Sequence, residues 1–274
     1  MLYSERGHLR LLPRVLRARD FHLYLENGKR LTDLWLAGGG AVLGHKPPRV
    51  LGELKNTAER GLFTPLPHPL ERRFLKALGE LFPGRAFRLY ADSGALPRAF
   101  DEAGIPFPVN RPLSDPAFPE NDDISVFGRK ASLWRPFAGE IKAPVLIPIL
   151  PWPLGPEALV LDKDMDASFP AGEIIPPVLL APATRALYDL LAVIKDGDRI
   201  SRKYPKIEKA VKGSLWRRQG IYLTIEIGEE KYTDIFKRFL EGGFLIPPSP
   251  MEPLILPASM SDGEEAKLAG LLKL

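Results

Sequence analysis

The 274-residue chain contains no cysteine, which removes disulfides, thiolate metal centres and cysteine nucleophiles and fits a reducing compartment. Histidine is scarce too: His8, His22, His45 and His68 show no metal-ligand spacing with one another or with nearby carboxylates, so no metal site is expected. There is no unbroken apolar run of the roughly 18 residues that a membrane helix needs, and the proline-interrupted segment APVLIPILPWPLGP is too broken to span a bilayer. The basic stretch MLYSERGHLRLLPRVLRARD lacks an apolar core followed by a small-residue cleavage site. The expectation is a soluble, cytoplasmic protein with no membrane contact. Neither a Gly-x-Ser-x-Gly elbow nor a Walker loop is present, and Gly38 to Ala41 (GGGA) reads as a flexible link.

What the chain does contain is ample apolar material, 45% of residues, enough for a substantial core. The formal net charge of +4 is spread along the sequence. Short clusters such as Arg72-Arg73, Arg202-Lys203 and Arg217-Arg218 read as solvated faces, so no nucleic-acid partner is expected. Proline is the outlier, with 29 residues, about twice the usual share. The prolines concentrate between Pro97 and Pro119, Pro136 and Pro182, and Pro247 and Pro257, which points to rigid connectors on a regular scaffold.

Periodicity marks the elements. FHLYLENGKRLTDLW alternates on both sides of Asn27-Gly28 and predicts a hairpin. A helix is expected from Pro47-Pro48, with Val50, Leu51, Leu54 and Ala58 on one face, and a second over PLERRFLKALGELFPG, with Leu70, Phe74, Leu75, Leu78 and Leu81 inward. AFRLYADSGALPRAFDEAG reads as strand, turn at Asp92-Ser93-Gly94 and short helix. ISVFGRKASLW reads as strand or extended loop, VLIPIL and ALVLD as short buried strands, and a helix is expected after Pro182. Towards the carboxyl terminus come the strand GIYLTIEI, the helix EKYTDIFKRFLEGG, the strand PLILPAS and a last helix with Ser261 and Glu264 at capping-box spacing. Alternating strands and helices predict an α/β fold with mixed sheets.

The ordered features LYLENGKRLTDLW, LGHKPPRVLGELKNTAERG, HPLERRFLKALGELFPG and FRLYADSG resemble the class III aminotransferases, fold-type I enzymes that use pyridoxal phosphate. VKGSLWRRQGIYLTIEI, EGGFLIPP and LILPASMSDGEEAKLAGLL are similar to that family's small domain. The resemblance implies an aminotransferase-like small domain with a mixed sheet plus a much reduced cofactor domain. The boundaries expected from it are 1–66 and 206–274 for the two parts of the small domain and 67–205 for the reduced cofactor domain. It also implies pyridoxal phosphate, a homodimer and a small amino donor. ALVLDKDMDASFPAGEII is similar to the family segment that delivers the Schiff-base lysine, which would be Lys163. Read from its own neighbours, Asp162, Asp164 and Asp166, the same lysine is equally a solvated charge.

Ser93 and Gly94 resemble the phosphate-binding turn and Arg98 could add charge there, with an ordinary strand-to-helix turn as the other reading. NDDISVFGR is similar to the stretch that pairs an aspartate with the pyridine nitrogen; Asp122 or Asp123 would fill that role, although ungapped alignment puts Asn121 there. His45, in the family's Gly-His link, reads as structural. About 28 residues between Gly94 and Asp122 allow only one strand-helix-strand unit where the resemblance calls for several, and Pro253 stands where many members carry a carboxylate-binding arginine. Two functions remain in view: a shortened class III aminotransferase-like protein with lost or altered catalysis, or a non-catalytic binding or interaction protein without the cofactor.

Overall fold

The computed structural model describes residues 7–105, 107, 114–118, 131–139, 141–197 and 204–273. Along the chain run β1 (Val15–Arg19), β2 (His22–Leu25), β3 (Arg30–Asp33), α1 (Pro48–Glu59), α2 (Pro69–Leu81), β4 (Ala86–Tyr90), α3 (Ala95–Glu102), β5 (Ala131–Trp134), β6 (Val145–Pro148) and β7 (Glu157–Leu161). Then follow α4 (Pro177–Asp196), α5 (Pro205–Val211), β8 (Trp216–Gln219), β9 (Tyr222–Ile225), α6 (Glu229–Glu241), β10 (Phe244–Leu245), β11 (Leu254–Ile255) and α7 (Asp262–Leu271). The backbone divides into two units, Pro47–Lys195 and a unit joining Tyr3–Lys46 to Asp196–Leu274. This division falls about twenty residues before the expected first boundary and ten before the second. The reason is α1: Arg49 pairs with Asp189 of α4 at 3.6 Å, and the Val178 N–H donates to the Leu62 carbonyl, so the segment from Pro47 is tied to α4.

In the first unit the sheet order is β4-β7-β6-β5, with β5 parallel to β6 and β7 antiparallel to both of its neighbours. β4, β6 and β5 therefore point one way and β7 the other. On one face Tyr90, Leu159, Leu161, Val145 and Ile147 pack with Leu96, Ala99 and Phe100 of α3. Both sheet edges are closed by short connectors. At β4 the Glu173 N–H donates to the Leu89 carbonyl at 2.7 Å, and Gly172 lies so near that a Cβ would sit 2.8 Å from the Leu89 nitrogen and oxygen. At β5 the Leu133 N–H donates to the Ser114 carbonyl, and Arg135 grips Asp115 bidentately, with Nε and Nη2 each 2.7 Å from a carboxylate oxygen. Both side chains are buried, so each charge depends on the other.

The helix expected after Pro182 starts earlier, at Pro177, and keeps Pro182 inside it. Pro177 has the fixed φ suited to a helix start, so Pro182 costs one ladder N–H rather than ending the helix. By length and composition α4 could cross a bilayer, but Leu180, Ala183, Leu187 and Leu190 are buried in the unit, as in a core helix.

In the second unit the Asn27-Gly28 turn forms as its chemistry dictates: Gly28 has φ of 76° and the Asn27 side-chain oxygen accepts from the Lys29 N–H. β1 adds an unanticipated strand beside β2, and β10 lies parallel to β3, giving the order β1-β2-β3-β10. β8 and β9 form a hairpin that β11 extends, although PLILPAS contributes only two strand residues. His45 is structural, as expected: its Nε2 is 2.8 Å from the buried Asp33 carboxylate, whose other oxygen accepts the Trp35 and Leu36 N–H groups.

The capping box at Ser261 is complete, and Glu264 extends it into the sheet. Its carboxylate accepts from the Ser261 N–H and hydroxyl and from Thr32, and lies 2.9 Å from His22 Nε2. Burial pushes the Glu264 carboxyl up, but hydrogen bonds from Ser261, His22 and Thr32 outweigh it and hold the group at about 2. A carboxyl depressed in the folded state stabilises the protein above its unfolded value, and that contribution fades as pH falls towards 2. Glu264→Gln should lower stability at pH 7 by about 1–2 kcal/mol after allowance for solvent screening. Urea unfolding between pH 7 and 2.5 should show the wild-type advantage shrinking with acid.

Candidate functional site

In an open α/β sheet, ligands gather at the carboxyl ends of the parallel strands. At β4 that end leads into Ser93 and Gly94, with the exposed Arg98 four residues further, inside α3. The sequence folds this way because Asp92 makes an Asx turn: its Oδ1 accepts the Gly94 N–H at 2.6 Å, and its carbonyl accepts the Ala95 N–H at 3.4 Å. The Leu96 N–H donates to the Ser93 carbonyl, and Pro97 has no N–H. The Gly94, Ala95 and Leu96 N–H groups are thus engaged within the turn, and the acceptor of the first is a carboxylate. Those three backbone donors do not fit the phosphate of pyridoxal phosphate, which leaves Ser93 and the exposed Arg98 as the groups of this turn that could meet it.

Lys163 stands elsewhere. In the antiparallel register Ala86 pairs with Leu161 and Tyr90 with Glu157, so the chain leaving β7 emerges where β4 begins. The length of β4 alone, about 14 Å at the usual rise of a strand, separates that end from the Ser93-Gly94 turn. Lys163 is exposed and opens a short 3₁₀ turn, Lys163–Ser168. The carboxylates around it serve β4: Asp162 pairs with Arg85 at 2.8 Å and Asp166 with Arg88 at 2.7 Å. The segments leaving β4, β5 and β6, residues 91–94, 135–139 and 149–156, contain no lysine. Asp122 and Asp123 lie outside the described residues.

The structure adds residues that the sequence reading passed over. Tyr90 and Glu157 face each other across the β4–β7 pair, and Glu173 accepts the Ala91 N–H at 2.8 Å. Burial is the main cause that raises the Glu157 carboxyl. Burial likewise raises the Tyr90 hydroxyl; Arg88 pulls it back, while Glu173 and Glu102 push it up. Asp92 was legible, since an aspartate two residues before a glycine is an Asx-turn signal. Glu157 and Glu173 carry no local signal, because only the register brings them to this end.

No protein-family model matches the chain. An uncharacterised protein of Treponema pallidum is 26% identical over 91% of this chain and 90% of its own length. Glutamate-1-semialdehyde 2,1-aminomutase of Thermus thermophilus is 30% identical over a stretch covering 30% of this chain and 19% of the aminomutase. Among solved structures, ornithine δ-aminotransferase of Plasmodium falciparum matches with a TM-score of 0.66 at 14% identity, over 94% of this chain and 91% of that one. Acetylornithine aminotransferase of Elizabethkingia anophelis gives 0.63 at 14% identity, over 94% and 92%. Serine palmitoyltransferase of S. paucimobilis, solved with a bound PLP-myriocin aldimine, gives 0.65 at 9% identity, over 96% and 91%. At these identities the likeness is one of fold: the chain is a mixed α/β protein with the fold of these enzymes.

Proposed function

We propose that this chain is a non-catalytic binding protein built on an aminotransferase-like fold, and that it has lost pyridoxal-phosphate-dependent transamination. The observation that carries this reading is the reversed strand β7, which takes Lys163 to the opposite end of the sheet from Ser93 and Gly94. Schiff-base chemistry needs an amine close to the bound aldehyde and partly shielded from water. Lys163 has neither, being exposed and about one strand length away. The engaged turn at Asp92 supports the same reading, because a carboxylate at the phosphate position repels what the family would bind. The aminotransferase fold remains as a scaffold whose sheet ends still present side chains.

The proposal keeps the homodimer that the resemblance implies and the cytoplasmic setting expected from the sequence. Phe63 and Leu66 on the loop after α1 are 58% and 55% exposed, the kind of apolar surface that a second copy covers.

Titration of the full chain with pyridoxal phosphate, followed by borohydride reduction and peptide mapping, tests the loss of chemistry. The expected outcome is no saturable near-visible band and only scattered labelling of surface lysines. A stoichiometric label on Lys163 would restore the enzyme. Light scattering on the same sample at micromolar concentration should give twice the chain mass, and a monomer mass would remove the homodimer.

A further inference from the structure

The geometry points to β4 as a latent pairing edge: residues 170–173 hold it closed, and a second copy of the chain adds to it antiparallel about Leu89 once they are lifted. The inference goes beyond the reading above and does not depend on whether pyridoxal phosphate binds.

β4 is the outer strand in the order β4-β7-β6-β5, and β7 occupies one of its sides. In an antiparallel pair the main-chain groups of alternate residues point away from the neighbour. The contacts of β4 identify those residues as Phe87, Leu89 and Ala91. The Phe87 carbonyl accepts from Arg88 Nη1 at 3.1 Å, the Leu89 carbonyl accepts from the Glu173 N–H at 2.7 Å, and the Ala91 N–H donates to the Glu173 carboxylate at 2.8 Å. All three partners belong to a side chain or a connector rather than to a strand.

That connector starts where β4 starts, with Asp162 on Arg85 and Asp166 on Arg88. It then sets the Pro170 carbonyl on Arg88 Nε and ends beside Ala91. It thus runs the length of β4 and takes the place of a neighbouring strand. Pro170 has no N–H, so the segment does not build a ladder there. Gly172 is what lets it lie so close: a Cβ at this position would sit 2.8 Å from both the Leu89 nitrogen and oxygen, so a side chain must lift the connector off the edge.

Uncovered, β4 has what strand pairing needs. AFRLYA combines Phe, Leu and Tyr and holds no proline, glycine or carboxylate, and an open edge of that kind invites a further strand. The outward groups choose the register. With Leu89 opposite Leu89 of a second copy, Phe87 of each chain faces Ala91 of the other, and all three sets of groups exchange hydrogen bonds across a two-fold axis. Arg88 then stands opposite Tyr90 instead of a second Arg88, which avoids the penalty of opposed like charges.

Gly172→Val in the full chain tests the inference. Light scattering at micromolar concentration should give about twice the wild-type mass or more, and adding Ala91→Pro, which removes a donor this register uses, should restore the wild-type mass. The chain has no cysteine, so the register can be read by cross-linking. An equal mixture of Gly172→Val chains carrying Phe87→Cys or Ala91→Cys should form the mixed disulfide under oxidation, because a directly opposed pair brings the Cα atoms to about 5.5 Å. Either chain alone should cross-link far less. If Gly172→Val does not fold, Glu173→Ala, which deletes the carboxylate on the Ala91 N–H, takes its place in the same assay. A wild-type mass with no mixed disulfide overturns the inference, as does cross-linking of Phe87→Cys to itself in preference to Ala91→Cys. Each mass is read against wild type, so a monomeric wild type removes the homodimer proposed above and leaves this edge standing.

Discussion

Backbone hydrogen bonds hold β7 antiparallel to both β4 and β6, so whatever follows β7 emerges where β4 starts and whatever precedes β7 emerges where β4 ends. The remaining assignments depend on that constraint. It brings Glu157 to the Ser93-Gly94 end and sends Lys163 to the other. A lysine at a parallel strand's carboxyl end could sit among the helix-capping N–H groups. One at the far end of a reversed strand meets Asp162 and Asp166, and those already answer to Arg85 and Arg88. Side-chain chemistry cannot compensate for such a displacement, because strand register fixes positions to within a residue.

A sheet of four strands has two edges to protect, and among the described residues a connector lies along each. At β5 the means is charge. Arg135 and Asp115 neutralise each other in the interior, and Asp115 also accepts the Ala117 N–H, so one carboxylate pins both the arginine and the turn. Removing either partner would leave a buried charge, a loss of about 3–5 kcal/mol for such pairs. At β4 the means is close backbone approach: Gly172 permits it and Glu173 completes it, first with its own N–H to Leu89 and then with its carboxylate to Ala91. The same contact that seals the edge thus supplies a carboxylate to the strand end.

Local signals were legible in the sequence and long-range ones were not. Asn27-Gly28 and the Ser261-Glu264 box depend on residues within a few positions of one another, and both form where the sequence puts them. α1 and α2 form too, but of their expected inward faces only Val50, Phe74 and Leu78 are buried, joined by Thr57 and Ala77, while Leu51, Leu54, Ala58, Leu70, Leu75 and Leu81 are half-buried. The mixed α/β class followed from the same signals. The direction of β7 left no trace, because an apolar run such as ALVL pairs equally well either way. Similarity to a lysine-bearing segment therefore says nothing of the sheet end at which Lys163 stands, which only the register reveals. Pro182 misled for a related reason: proline breaks a helix by default, and only the packing of Leu180 to Leu190 shows that the core tolerates it.

The most direct test of this arrangement is a distance. The chain has no cysteine, so Ser93→Cys with Lys163→Cys gives two spin labels without background. With β7 reversed, pulsed dipolar spectroscopy should find the labels on the order of 20 Å apart or more, one strand length plus the flanking residues. A separation below about 12 Å, less than the span of β4 itself, would place Lys163 beside the turn and contradict the topology on which the functional reading stands.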